Sequence, residues 1–250
     1  MKALALVLGC ALLALAPAAN AGDHTNLEED LPVALTDAKP IGYLGREVQA
    51  LLRWDNRSDH DEDFVSVLRL EAGFPRNAQL SLEIPYRFGE VEPDGFGALR
   101  AEVLYNLNQE TVFLPSFSFA AALDFPTGND AHGVDPTLKA IVSKTIPETE
   151  LFQQVHLNFE WTMNDEVRSD ERARAWRVVG GYSVRLGPQT IGIADVVHEA
   201  ALERGERETL AELGARHQLT PRTVLSGGVG AGLTSESPDV RATLGAQYAF

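Results

Sequence analysis

Hydrophobic and polar residues alternate along most of this chain from about residue 46 onward. The alternation is clearest in the last eleven residues, where Val240, Leu244 and Phe250 share one face. Arg241 and Gln247 lie on the opposite face. A strand of this length can cross a bilayer if its apolar face meets lipid and its polar face meets water. The C-terminal segment therefore predicts a membrane-spanning β-strand.

The same alternation recurs about twelve times, which predicts an all-β chain folded as a transmembrane antiparallel up-and-down β-barrel. An even number of antiparallel strands would leave the first and last strand ends, and so both chain termini, at one rim of the barrel. An apolar row from Phe113 to Leu123 predicts the fifth strand.

Two segments fit the alternation less well. In the sixth predicted strand, about 134–146, Lys144 falls on the otherwise apolar row. In the ninth, about 189–198, Asp195 continues the row of Ile191 and Ile193, so the sequence leaves the facing of this strand open.

The predicted connections alternate between short and long. Short turns at one rim and longer loops at the other are typical of outer-membrane barrels, whereas a secreted β-sandwich, the alternative fold, has no reason to alternate in this way. The short turns are at 75–77, 106–111, 147–149, 187–189 and 220–222, and the longer acidic loops at 55–63, 89–95, 126–136, 164–171, 202–207 and 234–239.

The N-terminal residues indicate export. A basic start, an apolar stretch at 3–17 and an Ala-Asn-Ala site at 19–21 predict a signal peptide over 1–21. A lipoprotein modified at Cys10 is the alternative. An acidic leader (22–45) then precedes the barrel (46–250), and the sequence leaves open whether this leader hangs in the periplasm or enters the lumen. The expected location is the outer membrane of a Gram-negative bacterium.

Composition narrows the possible functions. After the signal peptide no apolar run is long enough for a spanning helix, and mean hydropathy is -0.11. The net charge of -15 is concentrated in the leader and loops. No basic stripe is present, which argues against nucleic acid as a partner. The acidic run at 59–63 could attract divalent cations but lacks the glycine spacing of a calcium loop, so we predict no metal site and no cofactor.

The polar rows of the strands are expected to line the lumen. Basic and acidic residues alternate there, and either a water-filled pore or an ion-paired, non-conducting lumen is compatible with them. An excess of arginine would favour anions if the pore is open. The predicted pore-lining residues are Arg53, Arg69, Glu83, Arg87, Arg100, Glu102, Lys139, His156, Glu160, Arg177, Arg185, Arg216 and Arg241.

An enzyme is the less favoured alternative. His156, Asn158 and Ser183 occupy the polar faces of neighbouring predicted strands, which makes a hydrolase triad conceivable. In barrel lipid hydrolases, however, the site lies on the lipid-facing surface, and no Gly-x-Ser-x-Gly motif is present. We therefore expect no catalytic residues.

Several segments resemble the outer-membrane barrel family named for the meta-pathway of phenol degradation. The resemblance rests on residues 122–130, 133–139, 156–161 and 180–183 and on the terminal Phe250. It implies a barrel whose relatives are labelled transporters, and thus passive passage of a small, unidentified solute. The alternatives are a structural barrel with a non-conducting lumen and, more remotely, a secreted ligand-binding sandwich. Expected partners are outer-membrane lipid, lipopolysaccharide and the barrel assembly machinery, which would read Phe250.

Overall fold

A computed structural model describes residues 22–57, 62–75, 77–89, 94–128, 132–147, 149–169, 171–203 and 207–250. The predicted signal peptide lies outside these residues, as do most of the acidic run at 59–63 and parts of the turns and loops predicted at 75–77, 89–95, 126–136, 147–149, 164–171 and 202–207. Within the described residues, no helix is long and apolar enough to span a membrane.

All named strands of the described chain belong to one antiparallel sheet. They are β1 (Arg46–Asn56), β2 (Glu62–Phe74), β3 (Ala78–Gly89), β4 (Gly95–Phe96), β5 (Leu99–Asn108), β6 (Ser116–Phe125), β7 (Asp135–Thr145), β8 (Gln153–Met163), β9 (Arg174–Gly187), β10 (Thr190–Ala200), β11 (Arg207–Thr220), β12 (Thr223–Gly232) and β13 (Val240–Ala249).

The sheet closes on itself. Each long strand pairs with its neighbours in the sequence, and β1 pairs with β13 from Glu47↔Ala249 to Asn56↔Val240. The two-residue β4 pairs only with one end of β3. The twelve other strands therefore form a closed barrel, which confirms the predicted fold and excludes the sandwich. Closure also pairs the backbone groups that an open edge would expose to lipid.

The two rims of the barrel differ. We call the end with the short connections the turn rim; there Phe250 N donates to Arg46 O (3.0 Å), so β1 begins where β13 ends. The opposite end, the loop rim, carries the longer connections. In porins these two ends face the periplasm and the outside, respectively.

The predicted alternation sets the two faces of the wall. In β13, Leu244 is 66 % exposed on the outer surface, whereas the adjacent Thr243 is 4 % exposed toward the lumen. Leu52, Leu68 and Tyr248 are also exposed on the outside. Because successive side chains point to opposite faces of a strand, the apolar rows form an outer belt suited to lipid and the polar rows form the inner wall.

The fifth predicted strand begins later than the sequence suggested. Phe113 is 95 % exposed in the connection between β5 and β6, outside either strand. This connection is a hydrogen-bonded turn, in which Thr111 N donates to Leu114 O (2.9 Å) and Asn108 Nδ2 to Pro115 O (2.8 Å). The apolar row continues from the strand into the turn, so alternation alone placed the start of this strand too early.

The structure also accounts for the two segments that fit the alternation less well. Lys144 lies near the turn rim, where Nζ reaches Glu110 Oε1 (2.8 Å) and Thr111 O (2.7 Å). Ile191, Ile193 and Asp195 of β10 all face the lumen and are buried. An apolar inward row requires an apolar partner inside the barrel.

Candidate functional site in the barrel lumen

That partner is the acidic leader. Residues 22–45, which we call the plug, enter the lumen from the turn rim, turn back in its interior and return to β1. At the entrance, Gly22 N donates to Pro221 O (2.8 Å). Within the plug, Asp37 N donates to Leu27 O (3.1 Å), which ties its two limbs together. The question that the sequence left open is therefore answered: the leader enters the lumen.

The returning limb of the plug carries an apolar segment. Val33, Ala34 and Leu35 pack in one buried cluster with Leu27 of the entering limb. The wall contributes Val179, Ile191, Ile193 and Val197 to this cluster, and all of its members are at most 3 % exposed. Burial of this apolar surface explains why β9 and β10 present valine and isoleucine to a lumen that is polar over much of its wall.

Inward-facing glycines make room for this segment. A Cβ atom at Gly245 would lie 2.0 Å from Leu31 Cδ1, and one at Gly181 would lie 2.7 Å from Leu35 Cδ2. Both distances are too short for a Cβ atom, so a larger residue at either position would force the leucine side chain of the plug to shift. The wall is therefore shaped to this occupant.

Polar wall residues bind the plug backbone. Asn158 Oδ1 accepts a hydrogen bond from Thr36 N (3.0 Å), and Asn158 Nδ2 donates to Thr36 O (2.9 Å). Asn106 Nδ2 donates to Ala38 O (2.7 Å). Ile41 N donates to the side chain of Gln79 (2.8 Å). These bonds satisfy backbone groups that are shielded from bulk water in the lumen.

The residues for which a triad was conceivable, His156, Asn158 and Ser183, instead help to hold the plug. His156 lies between Ser143 Oγ (Nδ1, 2.9 Å) and Ser183 Oγ (Nε2, 3.0 Å). Ser143 Oγ also accepts a hydrogen bond from Ala38 N (2.9 Å). His156 thus supports a serine that holds the plug, while Asn158 binds Thr36.

The tip of the plug is acidic and is held by basic residues. Glu29 contacts Lys139 Nζ and lies 3.2 Å from Arg177 Nη1. Asp30 lies 2.9 Å from Arg177 Nη2 and 3.7 Å from Arg53 Nη1. Lys139 is itself buried and also reaches Glu102 (2.8 Å). The plug thus supplies negative charges that balance basic residues of the wall, although the sequence had suggested partners for them only on neighbouring strands.

Toward the loop rim, the wall carries its own ion pairs. Arg241 binds Asp55 through two nitrogens (2.7 and 2.9 Å) and lies 3.4 Å from Glu208. Arg100 binds Asp124 at 2.9 Å. A two-point contact between a guanidinium and a carboxylate fixes both side chains.

The structure brings most of the predicted pore-lining residues together in the lumen. Two lie near its ends: Arg87 is half-exposed beside Asp63 at the loop rim (3.5 Å), and Arg185 is exposed over the Phe152 ring at the turn rim (5.2 Å). Those inside the lumen are Arg53, Arg69, Glu83, Arg100, Glu102, Lys139, His156, Glu160, Arg177, Arg216 and Arg241.

The expected excess of arginine is wrong. Several further acidic side chains are buried in the lumen or paired with interior arginines. Asp55 and Asp63 lie where strands extend into a predicted loop, whereas Glu47 and Asp195 lie within predicted strands. With these further residues, acidic side chains outnumber basic ones on the wall. The further residues are Glu47, Asp55, Asp63, Asp124, Asp195, Glu199 and Glu208.

A cavity of about 720 Å³ opens between the plug and the turn rim. Its lining includes Lys39, Phe152 and Glu110. Burial raises the pKa of Glu110, but hydrogen bonds from Lys144 and Thr145 outweigh burial and hold this pKa below its ordinary value. At the loop rim, a smaller cavity of about 200 Å³ has acidic lining that includes Asp135 and Glu203.

The signals for the plug were present but indirect. They were the mixed row of Asp195 with two isoleucines, the apolar segment inside an acidic leader, and glycines on inward rows. None of them identifies its partner, because alternation within a strand carries no information about a segment outside the sheet.

No protein-family model and no curated protein matches this chain. Solved structures do match. An outer-membrane channel from Pseudomonas putida F1 superposes with a TM-score of 0.69 at 16 % identity, covering 87 % of this chain and 100 % of that one. The NanC porin gives 0.57 at 10 % identity, covering 81 % and 98 %. The KdgM porin, solved in complex with disordered oligogalacturonate, gives 0.56 at 11 %, covering 82 % and 99 %.

These similarities define the class of protein: the chain has the fold of an outer-membrane β-barrel, and its structural neighbours are channels and porins. At such low identities the likeness is one of fold alone. The narrower resemblance to the family named for phenol degradation stays a prediction.

Proposed function

We propose that this protein is an outer-membrane channel for small solutes, with a lumen gated by its own N-terminal segment. The observation that carries the proposal is the plug itself, a segment outside the barrel sheet that occupies a polar lumen and is attached to the wall by non-covalent contacts. A purely structural barrel could fill its lumen with wall side chains, as small barrels do. Here the filling belongs to a segment that can move without breaking a strand.

The proposed route runs between the loop rim and the turn-rim cavity once the plug has shifted. The solute class remains broad: small polar or charged molecules suit a wall of paired charges. Because acidic side chains outnumber basic ones on that wall, we expect cations to pass more readily than anions.

A reversible lock on the plug tests the gating. Leu35→Cys combined with Gly181→Cys would place two thiols where the structure brings a Gly181 Cβ to 2.7 Å from Leu35 Cδ2. The full-length protein would be reconstituted in planar bilayers and its conductance measured. We expect current from the wild type, less current from the oxidised double variant, and recovery after reduction. The reversal potential in a salt gradient should indicate cation selectivity.

The single variants Leu35→Cys and Gly181→Cys are the matched controls, because each carries one side-chain change without the lock. Equal current in the oxidised and reduced double variant would show that the plug does not gate transport.

A structural barrel is the second candidate, favoured by the dense ion pairs around the plug tip. It predicts no channel events in the wild type, in the single variants or in the reduced double variant. The conductance experiment thus separates the two candidates.

Export and membrane assembly belong to the same proposal. A signal peptide at 1–21 would deliver the chain to the periplasm, the C-terminal Phe250 would be read by the assembly machinery, and lipid with lipopolysaccharide would surround the outer belt. Membrane fractionation of expressing cells, with gel mobility compared before and after boiling, tests this route. Recovery as a soluble periplasmic protein would contradict it.

A further inference from the structure

Three buried carboxylates meet near the turn rim. Glu28 comes from the plug, whereas Glu47 of β1 and Glu71 of β2 are directly paired across the wall. Each is 5 or 6 % exposed. One oxygen from each lies within 4.8 Å of the oxygens of the other two. The cluster therefore joins the plug to the wall through groups that normally repel one another.

This cluster lacks the counter-ions that most other lumenal carboxylates have. In the part of the chain that the structure describes, no ion pair within 4.0 Å involves Glu28, Glu47 or Glu71. Two guanidiniums lie nearby but are bound elsewhere. Arg69 pairs with Glu83 (2.8 Å). The buried Arg216 donates to Leu31 O (3.2 Å) and to the side chain of Gln247. Burying unpaired charges is costly, so a further positive charge would stabilise the cluster.

The donors to these carboxylates are neutral amides. Gln49 Nε2 and Gln79 Nε2 donate to the two oxygens of Glu71 (2.8 and 3.1 Å). Gln247 Nε2 donates to Glu47 Oε2. Each carboxylate oxygen has two lone pairs, so these bonds orient the groups and leave lone pairs available.

Asn26 supplies a fourth oxygen. It is 6 % exposed, and its Nδ2 lies 2.7 Å from Glu28 Oε1. Its Oδ1 has no hydrogen-bond partner among the described residues. Oδ1 belongs to the same amide group as Nδ2, so a turn of this amide about its last side-chain bond would bring the unpartnered oxygen toward Glu28. A buried amide oxygen of this kind calls for a donor or a cation.

We propose that Glu28, Glu47, Glu71 and Asn26 bind a calcium ion. All four supply oxygen, the ligand that hard divalent cations prefer. Calcium binds oxygen at about 2.3–2.6 Å, so oxygens on opposite sides of the ion are about 5 Å apart. The three carboxylate oxygens lie within 4.8 Å of one another, close enough to share one ion. Three carboxylates and an amide suit calcium better than magnesium, because magnesium usually keeps several waters and only one or two carboxylates.

The site has a path to solvent. A cavity of about 210 Å³ is lined by Asp23, Thr25, Asn26 and Glu47, next to the point where the plug enters. An ion arriving from the turn rim would reach the cluster through it. Binding would fasten the entering limb of the plug to β1 and β2. Any effect of calcium on gating rests on the proposed function, but the binding itself does not.

Titration calorimetry tests the site directly. Full-length folded protein in detergent, freed of metal with a chelator, would be titrated with CaCl₂ at neutral pH. We expect one calcium ion per chain to bind to this site more tightly than any ions that bind to the exposed acidic loops. Glu71→Gln should weaken this binding at least about tenfold, because it removes a charged ligand. Asn26→Ala should weaken it less.

Asp124→Asn is the matched control, since it changes a lumenal carboxylate that is paired with Arg100 outside the cluster. It should keep the affinity of the wild type. A shift in gel mobility on boiling checks folding, and if Glu71→Gln does not fold, the plug variant Asn26→Ala decides.

Three results would overturn the proposal: no tight calcium binding, equal affinity in the wild type and the folded cluster variants, or tighter binding of magnesium. None of these readouts uses conductance. A barrel that conducts nothing can still bind calcium, and a channel can lack this site.

Discussion

The plug is held in two different ways along its length. Its apolar segment, Leu31 to Leu35, is attached by close packing against β9, β10 and inward-facing glycines. Its acidic tip, Glu29 and Asp30, is attached by ion pairs to residues on β1, β7 and β9. The two regions are adjacent in sequence, but their attachments depend on different physical forces.

The two kinds of attachment have different consequences for where the plug lies and for how it can be released. Packing against a shaped wall does not depend on the charge of either partner, and it specifies one location for the segment. Ion pairs depend on the charge of each partner, and the loss of one partner leaves the other charge buried and unpaired. We therefore expect the apolar segment to locate the plug and the tip to be the part that responds to a change in charge.

Lys139→Met should have the largest effect. Lys139 contacts Glu29 and Glu102 and lies 3.9 Å from Glu160, and its side chain is 3 % exposed. Its loss removes a buried cation shared by three carboxylates, and among the described residues Glu160 keeps no other ion pair, so the cost should be about 3 to 5 kcal/mol. Urea unfolding of the refolded barrel measures the free energy. A cost below that of Leu35→Ala would mean that the tip is the weaker attachment.

Leu35→Ala should come next. Leu35 is 1 % exposed within the apolar cluster. Removing it should cost about 2 to 5 kcal/mol of plug docking, without affecting the strand ladder. Hydrogen exchange of residues 31–38 should accelerate while exchange in β1 and β13 does not. Leu233→Ala, at a position that is 59 % exposed, is the control and should change little.

Asp30→Asn should cost less, about 1.5 to 3 kcal/mol, because Arg177 keeps Glu29 and Glu199 as partners. Combined with Leu35→Ala, it tests whether the two attachments act independently. Independent sites add within about 0.3 to 0.5 kcal/mol, as unfolding of the single and double variants would show. A larger deviation would mean that tip and apolar segment dock as one unit.

Lys144→Met at the turn rim should have the smallest effect, about 1 kcal/mol or less, because this pair with Glu110 is partly exposed. The lowered pKa of Glu110 gives a second measurement. A carboxyl whose pKa falls on folding contributes stability above its unfolded pKa and loses it as pH falls toward the folded one. The wild type should thus lose this increment on acidification, and Glu110→Gln should not.

The sequence predicted the barrel because lipid and water impose one pattern on every strand. Leu244 and Arg241 were assigned to the correct faces from the period of two alone. The boundaries were less accurate where turns are themselves apolar, as at Phe113, or where strands continue into acidic segments, as at Asp55 and Asp63. In those places local composition and backbone pairing disagree, and pairing prevails.

The lumen was predictable only in part. Arg177 and Glu160 were both predicted to line the lumen, and β8 and β9 place them opposite each other. The partners of Arg177 in the structure include Glu29 and Asp30, which are far away in sequence. Strand periodicity describes the sheet alone, so the contacts of a non-sheet segment require the three-dimensional structure.

The plug enters and leaves by the same rim, and this has a consequence for biogenesis. Because the chain doubles back inside the lumen, no part of it is threaded from one side of the wall to the other. The barrel can therefore close first, and the plug can enter its lumen afterwards. By the same reasoning, a pull applied to the N-terminal end from the turn-rim side would peel the two limbs apart in sequence, while the interstrand ladder stays intact.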